Sequence, residues 1–392
     1  MRKILQPPQP DLFRSGNVSV LRLGKKGRDQ QYTLGLDAVL SEADLNVTNV
    51  CTDPFLLGKN DVLCASFLSP MDVIEYLSKV REKPRCRTII GGQGAYAMAW
   101  HAELCDAVAL GRCEGVAKVS IFSDDDMRHI VRHSRQPGRV IRRVRHLVEG
   151  ESAVGCKGRC TFCQYSATQP ILIGKDYSAN TNKMHNVTED NWRNTKAKTG
   201  RQTTALDGLS EATRKRVRKP VSNKDIVQKL NEILDGINGI CVLKVFQIVG
   251  YPWETEETVL KDVRELQETL EQVNPSTKSR IMIMFTVTPF SPEPFTAMER
   301  ERCNIDVKWR DLFLREDVKC VIDKPYLNAF FLPQIANPLT LLKRVAVNRG
   351  VPRDQIVALS KSGSIEEGKS IVGNIHEQGA GMYLSEWISI ER

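Results

Sequence analysis

The sequence predicts an α/β protein built on parallel sheets, and three observations predict it. Residues 18–115 alternate between short apolar runs that read as strands and apolar residues at helical spacing. Two longer strand-like runs, 242–249 and 281–287, follow, with a helical apolar stripe between them. Turn and cap signals stand where strands should end, at Gly91-Gly92, at Ser69-Pro70 and at Gly250-Tyr251-Pro252-Trp253-Glu254-Thr255. With 392 residues, 41% apolar and 26% charged, the chain is expected to form a soluble protein of two or three domains. No run approaches a membrane span, and the start MRKILQPPQPDLF lacks the apolar stretch of a secretory signal.

Taken in order, Val18 to Leu23 alternates like a strand, and Tyr32, Leu36, Val39, Leu40 and Ala43 follow at helical spacing. Val47–Val50 is a short strand and 61–67 a buried one. Ser69 caps a helix with Pro70 at its first position and Asp72 three residues on, and Met71, Ile74, Leu77 and Val80 form that helix's apolar face. Residues 87–90 form the next strand, ending in the Gly91-Gly92 turn, where a ligand or another backbone can approach closely. Residues 95–104 read as a helix and 107–110 as a last strand. Residues 124–146 read as a basic linker. Further on, Ser222 and Asp225 form a second capping box over a helix lined by Ile226, Val227, Leu230, Ile233, Leu234 and Ile237. Thr255 caps a helix whose buried stripe is Val259, Val263, Leu266, Leu270 and Val273.

The chemistry concentrates in Cys156-Lys157-Gly158-Arg159-Cys160-Thr161-Phe162-Cys163. Three cysteines sit at CxxxCxxC spacing, with Gly155 and Gly158 to let the backbone turn around what the sulfurs hold. Three thiolates are one short of the four that close a structural zinc site or fill an iron–sulfur cluster. A 4Fe–4S cluster so held keeps one iron open, while a zinc knuckle would need a fourth ligand from elsewhere. The eleven cysteines are odd in number and scattered, which argues against a disulfide framework and for a reducing cytoplasm.

This pattern resembles the radical S-adenosylmethionine (SAM) superfamily, in which the open iron is chelated by SAM and the reduced cluster cleaves it to methionine and a 5′-deoxyadenosyl radical. The resemblance implies that Cys156, Cys160 and Cys163 are the cluster ligands and that Phe162 lies against the adenine. It implies a partial, abbreviated TIM-type βα barrel over 147–324. Asp207 and Ser210, in Thr204-Ala205-Leu206-Asp207-Gly208-Leu209-Ser210-Glu211, match positions that contact the ribose and methionine of SAM. From the residues alone the same two read equally as a turn and a helix cap. Gly250 matches the glycine of the family's Gly-Leu-Pro-Gly-Glu-Thr turn, and Trp253 replaces that turn's second glycine. A Pro-Phe-rich turn at 288–296 matches one at the barrel mouth. The Gly-Gly-Glu motif that binds the SAM amino group is missing from the polar stretch 164–203.

Residues 1–123 similarly resemble the Rossmann-like cobalamin-binding domain that precedes many such barrels. The matching pieces are 66–70, Gly91-Gly92 and 110–115, and the loop 23–28 carries no histidine for a lower cobalt ligand. The expectation is therefore a doubly wound Rossmann-like domain (1–123), a basic linker (124–146), the partial barrel (147–324) and a small C-terminal helical extension (325–392). The resemblance implies a 4Fe–4S cluster, SAM and a low-potential donor of the flavodoxin or ferredoxin type. It leaves cobalamin open, with Gly91 and Gly92 as its candidate contacts. Modification of an unactivated carbon, with methyl transfer if cobalamin is bound, is the expected reaction.

The net charge of +9 is clustered. Residues 128–146 carry Arg128, Arg132, Arg135, Arg139, Arg142, Arg143 and Arg145 with no acid, and a second basic zone runs over 193–219. Such zones can track phosphates, which keeps an RNA substrate open beside a small molecule. Two rival readings stand: a methylthiotransferase-like enzyme using N-terminal cysteines for a second cluster, and a non-enzymatic nucleic-acid-binding protein with a structural metal.

Overall fold

The computed structural model describes residues 18–21, 23, 47–111, 130–132, 139–140, 153–156, 158–169, 171–173, 201–219, 221–233, 239–324, 327–332, 337–375 and 383–390. The expected helix over 32–43, the loop 24–28, the run 112–115 and most of the polar stretch 164–203 lie outside them. The chain divides into two units, Met1–Glu149 with Lys343–Arg392, and Gly150–Leu342.

The first unit carries a sheet of β1 (Val18–Leu21), β2 (Val47–Cys51), β3 (Val62–Ser66), β4 (Arg87–Gly91), β5 (Ala107–Ala109) and β6 (Ile130–Arg132). Its order is β2-β1-β3-β4-β5-β6, parallel throughout except for β6, which runs antiparallel beside β5. The expected linker 124–146 therefore contributes an edge strand, and also the short β7 (Arg139–Val140), which pairs with Ser389–Ile390. Helix α1 (Pro70–Lys79) starts as its sequence signals: Ser69 accepts from Met71 N–H, Asp72 accepts from Ser69 N–H, and Pro70 is the first helical residue. The expected helix at 95–104 is instead a tighter 3-10 segment, Gln93–Leu104, broken at His101. Glycine and alanine dominate its start, and its buried residues lie all round it, so no single amphipathic stripe imposes the 3.6-residue period.

The C-terminal segment belongs with this unit for reasons visible in its packing. Arg353 donates to the carbonyls of Leu77 and Val80 at the end of α1, and Trp100 Nε1 donates to Asn348 O. Gly350 has φ +66, and a Cβ there would lie 2.6 Å from the Trp100 ring.

The second unit holds a sheet of β10 (Arg201–Ala205), β11 (Cys241–Val249), β12 (Ile281–Pro289), β13 (Cys320–Lys324) and β14 (Leu327–Leu332), in the order β10-β11-β12-β14-β13. Neighbours are parallel except for the β13–β14 hairpin. Residues 327–332, expected in a helical extension, are thus a strand beside β12. Their Phe331 packs edge-on against Phe313 and, tilted, against Phe285, so the aromatic run fills the sheet's core rather than a helix face. A separate hairpin joins β8 (Ala153–Val154) and β9 (Leu172–Ile173). Along β11 burial alternates strictly, and the inward residues Cys241, Leu243, Val245 and Val249 meet the stripe of Val259, Val263, Leu266 and Leu270 on the helix after it.

Candidate metal and cofactor site

The three cysteines lie in the second unit, on the loop between β8 and β9. Helix α2 (Gln164–Thr168) begins at Cys163, whose Sγ accepts from Ser166 N–H at 3.4 Å. Gly155 turns at φ +84 and donates its N–H to Tyr165 Oη at 3.1 Å. Gly158 N–H donates to Cys156 Sγ at 3.3 Å. A Cβ on Gly158 would lie 3.3 Å from Cys156 Sγ and 3.6 Å from Cys160 Sγ, so two sulfurs flank one glycine while the third heads the helix.

That loop is pinned to the ends of the parallel strands. Thr161 N–H donates to Val217 O at 3.0 Å, and the Cys160 thiol points to Arg218 O at 3.8 Å. Thr161 Oγ1 donates to Met298 Sδ at 3.2 Å, and Gln164 Nε2 to Pro294 O at 3.3 Å. Residues 217–218 follow β10 through helix α3 (Glu211–Arg216), and 294–298 follow β12. Phe162, half-buried, packs on a cluster of Val217, Tyr251, Phe290 and Met298, with its ring 6.2 Å from that of Tyr251. Tyr251 follows β11 and Phe290 follows β12, so the residue before the third cysteine touches the same strand edge. Beside it opens a groove of about 370 Å³ lined by Thr161, Arg216, Pro252, Trp253, Ala297, Met298 and Glu301. Trp253 stacks on Tyr251 at 5.0 Å and carries the Arg216 guanidinium on its ring at 3.8 Å. The bulky residue in place of a turn glycine is therefore used as packing.

The thiols share one electrostatic environment. Burial pushes Cys160 up to about 12, Lys219 pulls against it, and Asp207, Cys163 and Cys156 push the same way as burial. Burial also raises Cys163, against hydrogen bonds from Ser166. Lys219 is the surprise of the site. Its side chain is 13% exposed, and its ammonium is paired with Asp207 Oδ2 at 2.8 Å. Burial opposes its charge, but Asp207 and Cys160 more than compensate and raise it above its ordinary value.

The residues matched to SAM contacts divide. Asp207 reaches the edge after β10, but its carboxylate is engaged by Lys219 and its carbonyl accepts from Tyr251 Oη at 2.8 Å. Ser210 does not face the loop. It is buried, caps α3 by accepting from Thr213 N–H, and donates to Asp262 at 2.7 Å; the helix-cap reading holds because a buried hydroxyl takes both bonds locally. Gly250 has φ +77, its N–H donates to Glu254 Oε2 at 2.6 Å, and a Cβ would strike the Trp309 ring at 2.6 Å. Its glycine identity thus answers to a close-packed indole. Glu254, buried under that turn, also accepts from Tyr251 N–H, and burial pushes its carboxyl up to about 7.

In the first unit the Gly91-Gly92 turn is filled by the protein itself. Gly91 O accepts from Phe67 N–H, Gly94 N–H donates to Phe67 O, and a Cβ on Gly92 would lie 2.4 Å from Phe67 O. Of the two causes the sequence left open, another backbone accounts for it. Cys51, Cys64, Cys86 and Cys105 are buried thiols raised chiefly by burial, the environment of inert cysteines; Cys113 lies outside the described residues. The basic zones change character too. Arg214, within the second zone, has no exposed surface and donates to Val221 O, Gly208 O and Leu209 O. With Lys219 also engaged by Asp207, two of the cations of 193–219 are turned to partners within the fold rather than to solvent. Of the 128–146 run, only the backbones of Arg132 and Arg139 fall among the described residues whose place is known, in β6 and β7.

Sequence reasoning missed Lys219, Arg214, Glu254 and Met298. Lys219 carried a faint signal: between residues 203 and 224 the only acids are Asp207 and Glu211, so a buried cation there had few partners to choose from. Among the described residues no three His, Cys, Asp or Glu side chains are grouped to hold a single metal ion. No protein-family model matches this sequence, and no curated protein matches it.

Proposed function

We propose that the second unit is a radical SAM catalytic domain in which Cys156, Cys160 and Cys163 hold a 4Fe–4S cluster. The observation that carries the reading is the docking of the cysteine loop on the segments that follow three adjacent parallel strands, with Phe162 against Tyr251 and Phe290 nearby. Active sites on parallel α/β sheets form at this edge. The donor set suits the group by its chemistry: three soft thiols on one short loop, two of them bordering Gly158. A four-iron cluster bonds each cysteine to a different iron, whereas zinc draws its ligands to one centre. When bound, the cluster supplies one electron to the sulfonium of SAM, which yields methionine and a 5′-deoxyadenosyl radical.

The chain's own residues have separable tasks in this reading. Gly158 and Gly155 let the loop wrap the sulfurs. Phe162 offers an apolar ring to the adenine. Thr161 and Gln164 tie the loop to the segments beyond β12. The five-stranded sheet with the β8–β9 hairpin is the abbreviated barrel of this proposal. In the first unit, the order β2-β1-β3-β4-β5 is one in which ligands bind at the β1/β3 switch point. That order supports a narrower form, cobalamin-dependent methylation of an unactivated carbon.

Anaerobic reconstitution of the full chain tests the class. Iron and sulfide near four per chain, an EPR signal on reduction, and 5′-deoxyadenosine formed from SAM are the expected results. Stoichiometric zinc without iron would overturn it. The narrower form is tested by desalting after incubation with hydroxocobalamin: a retained corrinoid spectrum is expected, and none retained removes methylation by cobalamin.

A further inference from the structure

The largely buried pair Asp207–Lys219 is built with more care than a surface ion pair needs. Asp207 adopts φ +54, a left-handed conformation that non-glycine residues seldom take. The turn that imposes it is held from four sides. Tyr251 Oη donates to Asp207 O, Gly208 N–H donates to Gln247 Oε1, and the buried Arg214 donates to both Gly208 O and Leu209 O. Lys219 is fixed by its own N–H, which donates to Arg214 O at 2.8 Å. The residues just before it, Val217 and Arg218, receive the Thr161 N–H and the Cys160 thiol. A desolvated ammonium is thereby stationed beside the cysteine loop, with Asp207 as its direct partner. A charge held there lies one residue from the Arg218 carbonyl that faces the Cys160 thiol at 3.8 Å, close enough to act on the sulfurs.

We infer that Lys219 is a positioning residue that raises the reduction potential of the group held by Cys156, Cys160 and Cys163, with Asp207 as the counter-charge that holds it there. The inference rests on the cluster reading above. One-electron reduction adds one negative charge to a thiolate-held group, and a nearby buried cation favours the more negative state. A carboxylate at the same place does the reverse. Neutralising the two members of one ion pair should therefore move the potential in opposite directions, which loss of packing alone would not do.

The experiment is an EPR-monitored redox titration of the full-length, anaerobically reconstituted protein, with iron and sulfide counted on each sample. Lys219→Met should lower the potential, making reduction about tenfold less favourable at fixed ambient potential, which is about 59 mV for one electron. Asp207→Asn should raise it, and Lys219→Arg should stay close to the parent. Shifts of the same sign in the two neutral variants, or no shift with iron content unchanged, overturn the inference while leaving the cluster reading intact. Should Lys219→Met fail to load iron, Asp207→Asn still decides: a raised potential supports the inference, and a lowered or unchanged one overturns it. A parent protein that takes up no iron defeats the cluster reading itself, and the inference with it.

Discussion

Two glycine-bearing loops, one in each unit, make an instructive comparison. At the end of β4, Gly92 turns at φ +96, and the space its missing side chain leaves is taken by the Phe67 backbone. In the cysteine loop, the space beside Gly158 is bordered by two sulfurs, 3.3 and 3.6 Å from where a Cβ would stand. The sequence marks both as places where something approaches closely. The first is satisfied within the fold by a carbonyl that also accepts the Gly94 N–H. The second borders on two thiol groups, one accepting the Gly158 N–H and the other pointing to Arg218 O. A glycine at a turn thus points to a ligand more firmly where soft metal-ligating side chains, rather than the fold's own backbone, border it.

The largest effect expected from this contrast is at Gly92. Gly92→Ala places a methyl 2.4 Å from a backbone oxygen, with no flexible side chain to give way, in a conformation that alanine resists. The first unit should lose about 3 kcal/mol or more, measured by denaturant unfolding, while iron uptake by the refolded fraction is unchanged. A variant as stable as the parent would show that the close approach of Phe67 is not fixed, and would reopen this turn to a ligand. For the same reason, a bulky residue at Gly92 is a poor probe of cobalamin, since it would strike the protein's own backbone first.

An intermediate effect is expected at Glu254, beneath the turn after β11. Its carboxyl is raised from 4.5 to about 7 by burial, against hydrogen bonds from the Tyr251 and Gly250 N–H groups. The fold therefore holds this proton more tightly than the unfolded chain does. The contribution is fully present below about pH 4.5 and is lost as the pH rises through about 7. Glu254→Gln keeps an oxygen to accept both N–H groups and cannot ionise. Relative to the parent, it should gain stability between pH 5 and pH 8, by up to about 3 kcal/mol. A difference that does not vary with pH would mean that this carboxyl is not the buried titrating group. The result would also sharpen the comparison, since it probes a turn held by a side chain rather than by backbone or sulfur.

Much of the fold was legible because its signals are local. The Ser69–Asp72 and Ser222–Asp225 capping boxes, the Thr255 cap and the alternation along β11 all appear where the residues put them. The failures are non-local. Residues 327–332 read as part of a helical cover because nothing adjacent shows that β12 offers them a parallel edge. Ser210 was legible as a helix cap, but the partner of its hydroxyl, Asp262 some fifty residues later, was not. Of the candidate site, the cysteines and Phe162 could be named from their spacing. Lys219 could not, because its role depends on a salt bridge across a turn whose left-handed residue is an aspartate rather than the glycine that usually announces one.

The smallest expected effect on stability, and the most diagnostic one, is at Gly158. This residue is not among those with positive φ, and Arg159 takes the left-handed conformation instead at φ +49. Alanine therefore suits the backbone here, and the stiffer unfolded chain should offset the tight contact with Cys156 Sγ. Gly158→Ala should change the stability of the metal-free protein by no more than about 0.5 kcal/mol. The added methyl nevertheless borders both Cys156 and Cys160, where the sulfurs must turn to meet iron. Iron retained after anaerobic reconstitution should fall several-fold while the unfolding transition stays in place. Full iron content in this variant would mean that the sulfurs bind on the side away from Gly158. Equal losses of stability and iron would instead make Gly158 a packing glycine like Gly92, and the contrast between the two loops would disappear.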